Sequence, residues 1–172
     1  YGLEPALPVT SAWMHFDFAG VLVRGGSKTV AGLYDANSQP LIELYGVGYG
    51  LKLRYWDGFA YNDLSGVYDL SNFGGTVDAP KLVTIDLHLK IVPGGSSVIQ
   101  MYVDGALFFT STAAYTFTSD KVHHCAIKGE GVAGMFSLDM LADEAAGGWE
   151  RATVGRGRLR QFAEDREWTL QT

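Results

Sequence analysis

Cysteine is almost absent from this chain of 172 residues, because Cys125 is the only one. A single cysteine excludes an intrachain disulfide and also a zinc site built on several cysteines. Small secreted domains are usually stapled by disulfides. We therefore predict that this protein is not a disulfide-stapled secreted module, and a microbial, viral or intracellular origin is favoured.

The chain also lacks a long apolar run and an excess of positive charge. No run reaches the roughly 18 apolar residues of a membrane helix, so no membrane span is predicted. The 13 Lys and Arg residues are outnumbered by 19 Asp and Glu residues, which gives a net charge of −6. This acidic balance argues against nucleic acid or an anionic membrane as the main partner.

Glycine and aromatic residues are abundant instead. The 22 glycines and the 13% aromatic content accompany short alternating apolar runs that are separated by frequent turn signals, which favours an all-β protein. We predict a two-sheet antiparallel jelly-roll sandwich with a short C-terminal arm or helix. The predicted parts are an extended leading segment at residues 1–11, a jelly-roll sandwich domain at residues 12–150 and an Arg-rich C-terminal arm at residues 151–172.

Residues 81–111 predict three consecutive antiparallel strands. Five apolar residues of the first strand alternate with polar ones, and this period of two is typical of a strand with one buried face: Val83, Ile85, Leu87, Leu89 and Ile91. The dipeptide Asp104-Gly105 predicts a two-residue hairpin in which both turn residues have positive φ. Such a turn places Tyr102 opposite Leu107 and Met101 opposite Phe108.

Burial of one face also selects the register between the first and second of these predicted strands, which places Leu87 opposite Met101. The same register aligns Leu89 with Ile99 and Ile85 with Val103. The opposite face of this predicted meander then carries Asp86, His88, Lys90, Gln100, Tyr102, Leu107 and Phe109. In the earlier strand at residues 12–18, alternation places Trp13, His15 and Asp17 on one side and Met14, Phe16 and Phe18 on the core side.

The run PLIELYGVGYGLKLRY (residues 40–55), followed by LVTIDLHLKIVPGGSSVIQMYVDGALFFTS (residues 82–111), resembles the concanavalin A-like lectin and laminin-G-like jelly rolls. In those domains a hairpin of the form L-x-L-x-x-G-x-L-x-L precedes a long strand, and a Y-V-D-G turn follows. Lys81-Leu82 stands where those domains often have Trp-His. The resemblance covers roughly residues 12–141. It implies a two-sheet sandwich that binds glycans or proteins, with calcium in some members, and that cleaves polysaccharides in other branches.

Catalytic carboxylates do not cluster in this sequence. Glycoside hydrolysis needs two carboxylates about 5–9.5 Å apart, but Asp86 and Asp139 each stand alone on their predicted strand faces. The polysaccharide-lyase branch uses Arg, Gln, His and Tyr, and His88, Gln100 and Tyr102 share one predicted face. A solvated or partner-covered sheet face is the favoured interpretation of these three residues. We therefore predict a non-catalytic protein, with a polysaccharide lyase or hydrolase as the second alternative.

Metal ligands are also sparse. His123 and His124 are adjacent, so on a strand they point to opposite faces and cannot both bind one metal. No metal site and no cofactor are predicted, although calcium stays open because oxygen-bearing residues crowd two loops. In those loops a turn-forming role is the favoured interpretation for Asp35, Asn37, Asp57, Asn62, Asp63, Asp69 and Asn72.

Two groups of residues are candidates for glycan binding, because exposed aromatic rings stack on sugar faces while amides and carboxylates bond hydroxyl groups. The alternative is that many of these rings belong to the core. The loop group is Trp56, Asp57, Phe59, Tyr61, Asn62, Asp63 and Tyr68. The sheet group is His88, Gln100, Tyr102 and Phe109.

These observations predict a non-catalytic recognition or adhesion module that binds glycans on a viral or phage particle or a microbial surface appendage. The alternative is a structural particle or appendage protein whose sheet face and C-terminal arm pack on other subunits. Arg156, Arg158 and Arg160 alternate and would form a cationic stripe for a subunit contact, or a solvated face. We expect glycan or neighbouring protein subunits as partners, in a homo-oligomer or a larger assembly.

Overall fold

The computed structural model describes residues 2–3, 8–19, 21–22, 28–47, 50–69, 82–128, 132–133, 136–142 and 170–171. Regular structure in these ranges is entirely β-strand. A search of the same ranges finds no helix with the length and apolarity needed to cross a membrane. The strands are β1 (Gly2–Leu3), β2 (Ser11–Ala19), β3 (Val21–Leu22), β4 (Lys28–Tyr34), β5 (Pro40–Val47), β6 (Gly50–Trp56), β7 (Tyr61–Asp63), β8 (Tyr68–Asp69), β9 (Leu82–Lys90), β10 (Ser97–Val103), β11 (Ala106–Ala113), β12 (His124–Ile127), β13 (Val132–Ala133), β14 (Phe136–Ala142) and β15 (Leu170–Gln171).

The strands form two large antiparallel sheets and one small one. The larger sheet has eight strands in the order β15-β1-β12-β4-β5-β6-β7, with β8 also paired to β6. The second sheet has five strands in the order β11-β10-β9-β2-β14, and β13 pairs with β3. The predicted all-β fold of two antiparallel sheets is confirmed.

The core lies between the two large sheets. Strand β9 contributes Leu87 and β5 contributes Leu44, and both belong to one cluster of buried apolar side chains. Neighbouring members include Phe16 from β2 and Leu53 from β6, all with no exposed surface. Each of these residues alternates with a residue on the outer face of its strand, so the two sheets share a core and leave two outer faces.

The predicted meander is confirmed as β9, β10 and β11. Leu87 pairs with Met101 and Ile85 with Val103, as burial of one face required. Asp104 and Gly105 both have positive φ, 48° and 86°, which is the geometry of a tight two-residue hairpin.

The predicted pairing of Met101 with Phe108 is wrong. A β-bulge between Met101 and Tyr102 leaves Phe108 as the extra residue, and Met101 pairs with Phe109. Phe109 therefore lies on the same side of the sheet as Met101, where it packs against the core. Its predicted place on the outer face is corrected, because the bulge reverses the alternation of every later residue of β11 relative to the prediction.

The leading segment and the stretch after β6 contain short strands. Residues 2–3 of the leading segment form strand β1, which pairs with β12 and β15. The aromatic stretch that follows β6 contains only two short described strands, β7 and β8. Of the predicted arm at residues 151–172, residues 170–171 form β15, and residues 151–169, with Arg156, Arg158 and Arg160, lie outside the described residues.

Candidate functional site

The turn between β6 and β7 is held by the carboxylate of Asp57. The backbone N–H groups of Phe59 and Ala60 both donate to Asp57 Oδ1 at 2.8 Å. Asn62 Nδ2 donates to Asp57 Oδ2 at 2.9 Å. These hydrogen bonds stabilise the ionised carboxylate and so lower the pKa of Asp57 below its ordinary value, and the bond from the Ala60 N–H has the largest effect. The turn is therefore fixed by its own side chain.

Three aromatic rings, which we call the aromatic rim, lie on this turn and the strands beside it: Trp56, Phe59 and Tyr61. Phe59 is 92% exposed and Tyr61 is 42% exposed. The Trp56 and Tyr61 rings meet edge to face with centroids 4.9 Å apart. Exposed rings of this size on a fixed turn are unusual in a surface that serves solubility alone.

Arg54 supports the rim from the outer face of the eight-stranded sheet. Its guanidinium carbon lies 3.6 Å from the centroid of the Tyr61 ring and 4.3 Å from that of Tyr45. These are cation–π distances. Arg54 Nη2 also donates to Glu43 Oε2 at 2.9 Å. One face of the Tyr61 ring is thus occupied by a cation that the carboxylate of Glu43 holds in place.

Glu43 is buried although it lies on an outer sheet face. It accepts hydrogen bonds from the hydroxyl groups of Tyr34 and Thr29, each at 3.2 Å. Burial raises the pKa of the Tyr34 hydroxyl well above its ordinary value, and the charge of Glu43 raises it further. The hydroxyl therefore stays a donor, as the contact requires. We call Thr29, Tyr34, Glu43 and Arg54 the Glu43 cluster.

Gly32 makes room for the Tyr34 ring in this cluster. Gly32 pairs with Glu43 across β4 and β5. A Cβ atom on Gly32 would lie 2.6 Å from the carbonyl oxygen of Ile42 and 3.0 Å from the hydroxyl oxygen of Tyr34. A side chain here would displace the ring from its contact with Glu43.

Beside the rim, Asp63 joins Lys52 and Tyr45. The Tyr45 hydroxyl donates to Asp63 Oδ1 at 2.8 Å, and Lys52 Nζ donates to Asp63 Oδ2. The bond from Lys52 is the largest cause that lowers the pKa of Asp63. The side chains of Lys52 and Asp63 remain partly exposed and can exchange these bonds for bonds to a ligand.

The outer face of the five-stranded sheet carries a second ionisable pair. His15 Nδ1 lies 2.5 Å from Asp86 Oδ1, because β2 pairs with β9 and sets the two residues side by side. Asp86 has no exposed surface and His15 is equally buried. The sequence placed these two residues on separate strands and did not predict their contact.

His88 lies in the adjacent row of the same face. Its Nδ1 is 3.0 Å from Gln100 Oε1, and its Nε2 is 3.2 Å from Ser11 Oγ. An amide oxygen only accepts, so Nδ1–H donates to Gln100 and Nε2 accepts from the Ser11 hydroxyl. The Trp13 ring stacks on His88 with centroids 4.2 Å apart and planes 5° apart. We call Ser11, Trp13, His15, Asp86 and His88 the His15 cluster.

The predicted loop group divides in the structure. Trp56, Phe59, Tyr61 and Asp63 lie at one edge of the eight-stranded sheet with Asp57 and Asn62, whereas Tyr68 packs against the core and meets the Phe108 ring edge to face. The predicted sheet group divides as well. His88 is 7% exposed, Gln100 and Tyr102 are partly buried, and Phe109 lies on the core side.

Prediction from the sequence missed the Glu43 cluster and Tyr45. A signal for it existed, since Glu43 is a charged residue within an otherwise apolar strand and Arg54 alternates with core residues of β6. The hairpin of β5 and β6 pairs these two residues directly. No comparable signal places β2 beside β9, because that contact joins distant parts of the chain.

Within the described part of the chain, no three His, Cys, Asp or Glu residues are arranged to hold a metal ion. Of the oxygen-bearing residues that left calcium open, Asp35 and Asp57 hold turns, whereas residues 62, 63 and 69 lie in the short strands β7 and β8. Asp35 Oδ1 accepts from the backbone N–H groups of Asn37 and Gln39 at 2.8 and 2.9 Å. Asn72 lies outside the described residues.

No protein-family model matches the chain, and no curated protein matches it either. Among solved structures, it is similar to a sialidase at a TM-score of 0.51 and 12% identity, over 83% of this chain and 14% of that chain. It is also similar to the native heptameric SAP-like pentraxin from Limulus polyphemus, at a TM-score of 0.50 and 9% identity, over 81% of this chain and 68% of that chain. The chain is also similar to a mutant of HCR/D, at a TM-score of 0.51 and 13% identity, over 96% of this chain and 38% of that chain. The chain shares the β-sandwich fold with these proteins.

Proposed function

We propose that this protein is a non-catalytic glycan-recognition module of the concanavalin A-like type, and that the aromatic rim is its binding surface. The observation that carries the proposal is Phe59, a ring that is 92% exposed on a turn fixed by Asp57. The backbone of the turn that carries this ring is already fixed, so the ordering of a sugar against it costs little backbone conformational entropy. This pre-organisation favours binding.

The polar groups beside the rim suit the hydroxyl groups of a sugar. Asp63 and Lys52 are partly exposed, and Asn62 adds an amide within the same edge. Carboxylates accept from hydroxyl groups, and the ammonium group donates to them. A ligand of alternating apolar faces and hydroxyl edges fits this combination.

The charges of this region favour a neutral glycan over an anionic one. Lys52 is paired with Asp63, and Arg54 is paired with Glu43. Asp57 adds a further negative charge at the turn. Lys128 Nζ also lies 3.9 Å from Glu43 Oε1. These three cations are matched by three carboxylates, so a carboxylated sugar would meet no net attraction there.

The His15 cluster supports binding or catalysis less well. His88 is nearly buried, and both of its ring nitrogens are engaged by Ser11 and Gln100. A general base must reach the proton that it removes. Polysaccharide cleavage therefore remains the alternative with the weaker support. We also propose a viral or phage particle or a microbial surface appendage as the setting, which the single cysteine supports.

A glycan array of neutral, sialylated and uronate-containing glycans tests the function, probed with the wild type in calcium and in chelator. Phe59→Ala is the informative variant, because a side chain this exposed contributes little to folding. Val92→Ala is the matched control, a partly exposed apolar residue on the β9–β10 turn. We expect binding to neutral glycans, weakened roughly tenfold by Phe59→Ala and unchanged by Val92→Ala. A blank array with an intact fold would contradict the proposal, as would unchanged binding by Phe59→Ala.

A further inference from the structure

Strand β11 is the last strand of the five-stranded sheet in the described structure, where it pairs with β10 alone. None of its eight residues is buried, whereas the side chains of residues 83–89 on β9 all are. Leu107 is 51% exposed. The outward N–H and C=O groups of such an edge are a template for another strand.

Natural proteins protect long edge strands with lysine, proline, inward charges or a bulge. Strand β11 has the sequence ALFFTSTA, which contains no charged residue and no proline. Its bulge lies at Phe108, near the hairpin end, so the ladder from Phe109 to Ala113 is regular. Within the described residues, no charge, proline or bulge therefore protects the regular part of the edge.

The surrounding sequence is also uncharged. Residues 105–119 contain no Asp, Glu, Lys or Arg, and this is the longest such run in a chain that is 19% charged. Two copies that each carry a charge of −6 repel one another, so association is favoured where both surfaces lack charge.

We propose that the edge of β11 pairs antiparallel with β11 of a second copy, which extends the five-stranded sheet across a two-fold axis. Antiparallel self-pairing places each strand beside its own sequence, so a charged residue near the axis would face a like charge. Thr110, Ser111 and Thr112 avoid that repulsion, and threonine and serine form favourable cross-strand pairs. The dimer would carry two aromatic rims and bind a surface of repeated glycans with greater avidity.

Sedimentation velocity over a series of protein concentrations tests the proposal. We expect the wild type to dimerise and Thr112→Lys to weaken the dimer roughly tenfold or more, because a lysine on an edge strand hinders its pairing with another strand. Thr116→Lys is the matched control, since Thr116 is exposed but lies beyond the strand. Circular dichroism and thermal melting confirm that both variants are folded.

Single cysteine variants at positions 110, 111 and 112 locate the axis. We expect at least one to form a disulfide-linked dimer under mild oxidation, while buried Cys125 stays reduced. A wild type that is monomeric at every concentration would overturn the proposal, as would a dimer that Thr112→Lys leaves unchanged. Neither result depends on glycan, so a blank glycan array leaves this test unaffected.

Discussion

The outer faces of the two sheets each carry a buried acidic side chain held by a basic one, yet only one face continues into exposed aromatic rings. On the eight-stranded sheet, Glu43 holds Arg54, and Arg54 lies against the ring of Tyr61. On the five-stranded sheet, Asp86 holds His15 within a cluster of buried side chains. A buried acid–base pair therefore does not by itself identify a binding site, and the surface that we propose is distinguished by the exposed rings beside its pair.

The largest expected effect is on the His15 cluster. Asp86→Ala should lower the free energy of unfolding by about 3–5 kcal/mol, because it leaves His15 buried without its acid partner. Denaturant titration measures this loss, with exposed Asp120→Ala as the matched control. Glycan binding by the folded fraction should be unchanged. Loss of glycan binding in a fully folded Asp86→Ala variant would contradict our assignment of the binding surface to the eight-stranded sheet.

Removal of Glu43 should have a smaller effect on stability and a clear effect on binding. We expect Glu43→Ala to cost about 2–4 kcal/mol of unfolding free energy, because Arg54 is partly exposed and can gain water. Glycan binding should also weaken, since Arg54 would no longer hold the ring of Tyr61. Calorimetric titration of the folded variant measures that change. Full affinity in Glu43→Ala would show that the Glu43 cluster does not support the rim.

Gly32→Ala tests the packing of the Glu43 cluster without altering its charges. The added methyl group should clash with the backbone carbonyl of Ile42 and with the Tyr34 ring, at a cost of about 1–3 kcal/mol, the usual range for overpacking. Thermal unfolding measures the loss. Gly66→Ala is the matched control, because no atom lies within 4 Å of a Cβ at that position. Equal stability of the two variants would contradict the described contact.

The smallest effect is the pH dependence of the rim. The folded structure lowers the pKa of Asp57 below its unfolded value of about 3.9. The stabilisation of the turn is therefore present above that unfolded value and is lost as the pH falls through the lowered folded value. Glycan affinity should be constant from pH 7 to 5 and weaken only as the pH falls below about 3.9, toward the lowered folded value. Asp57→Ala should bind more weakly at neutral pH and lose the part of the acid dependence that comes from Asp57, which titrations at several pH values would reveal.

Local alternation and burial were sufficient to predict the meander of β9, β10 and β11. The pairing of Leu87 with Met101 follows because only that register buries one whole face. The bulge at Phe108 could not be predicted in the same way. Two consecutive phenylalanines satisfy either face, so the pattern does not reveal which of them is the extra residue.

The candidate site was predictable only in its local part. Asp57, Phe59 and Tyr61 are close in sequence, and a turn rich in aromatic and polar residues predicted that they act together. His15 and Asp86 are 71 positions apart, and alternation within a strand does not identify its neighbour in the sheet. Contacts between distant strands depend on the whole topology, which one sequence pattern does not specify.

The most direct test of the central claim is to titrate a glycan selected from the array into the isotope-labelled protein and follow the backbone amide signals. Our account predicts that the largest shifts lie at residues 56–63, and that Phe59→Ala removes them while the signals of residues 84–102 stay unchanged. Shifts centred on Asp86, His88 and Tyr102 would contradict the account and assign recognition to the five-stranded sheet.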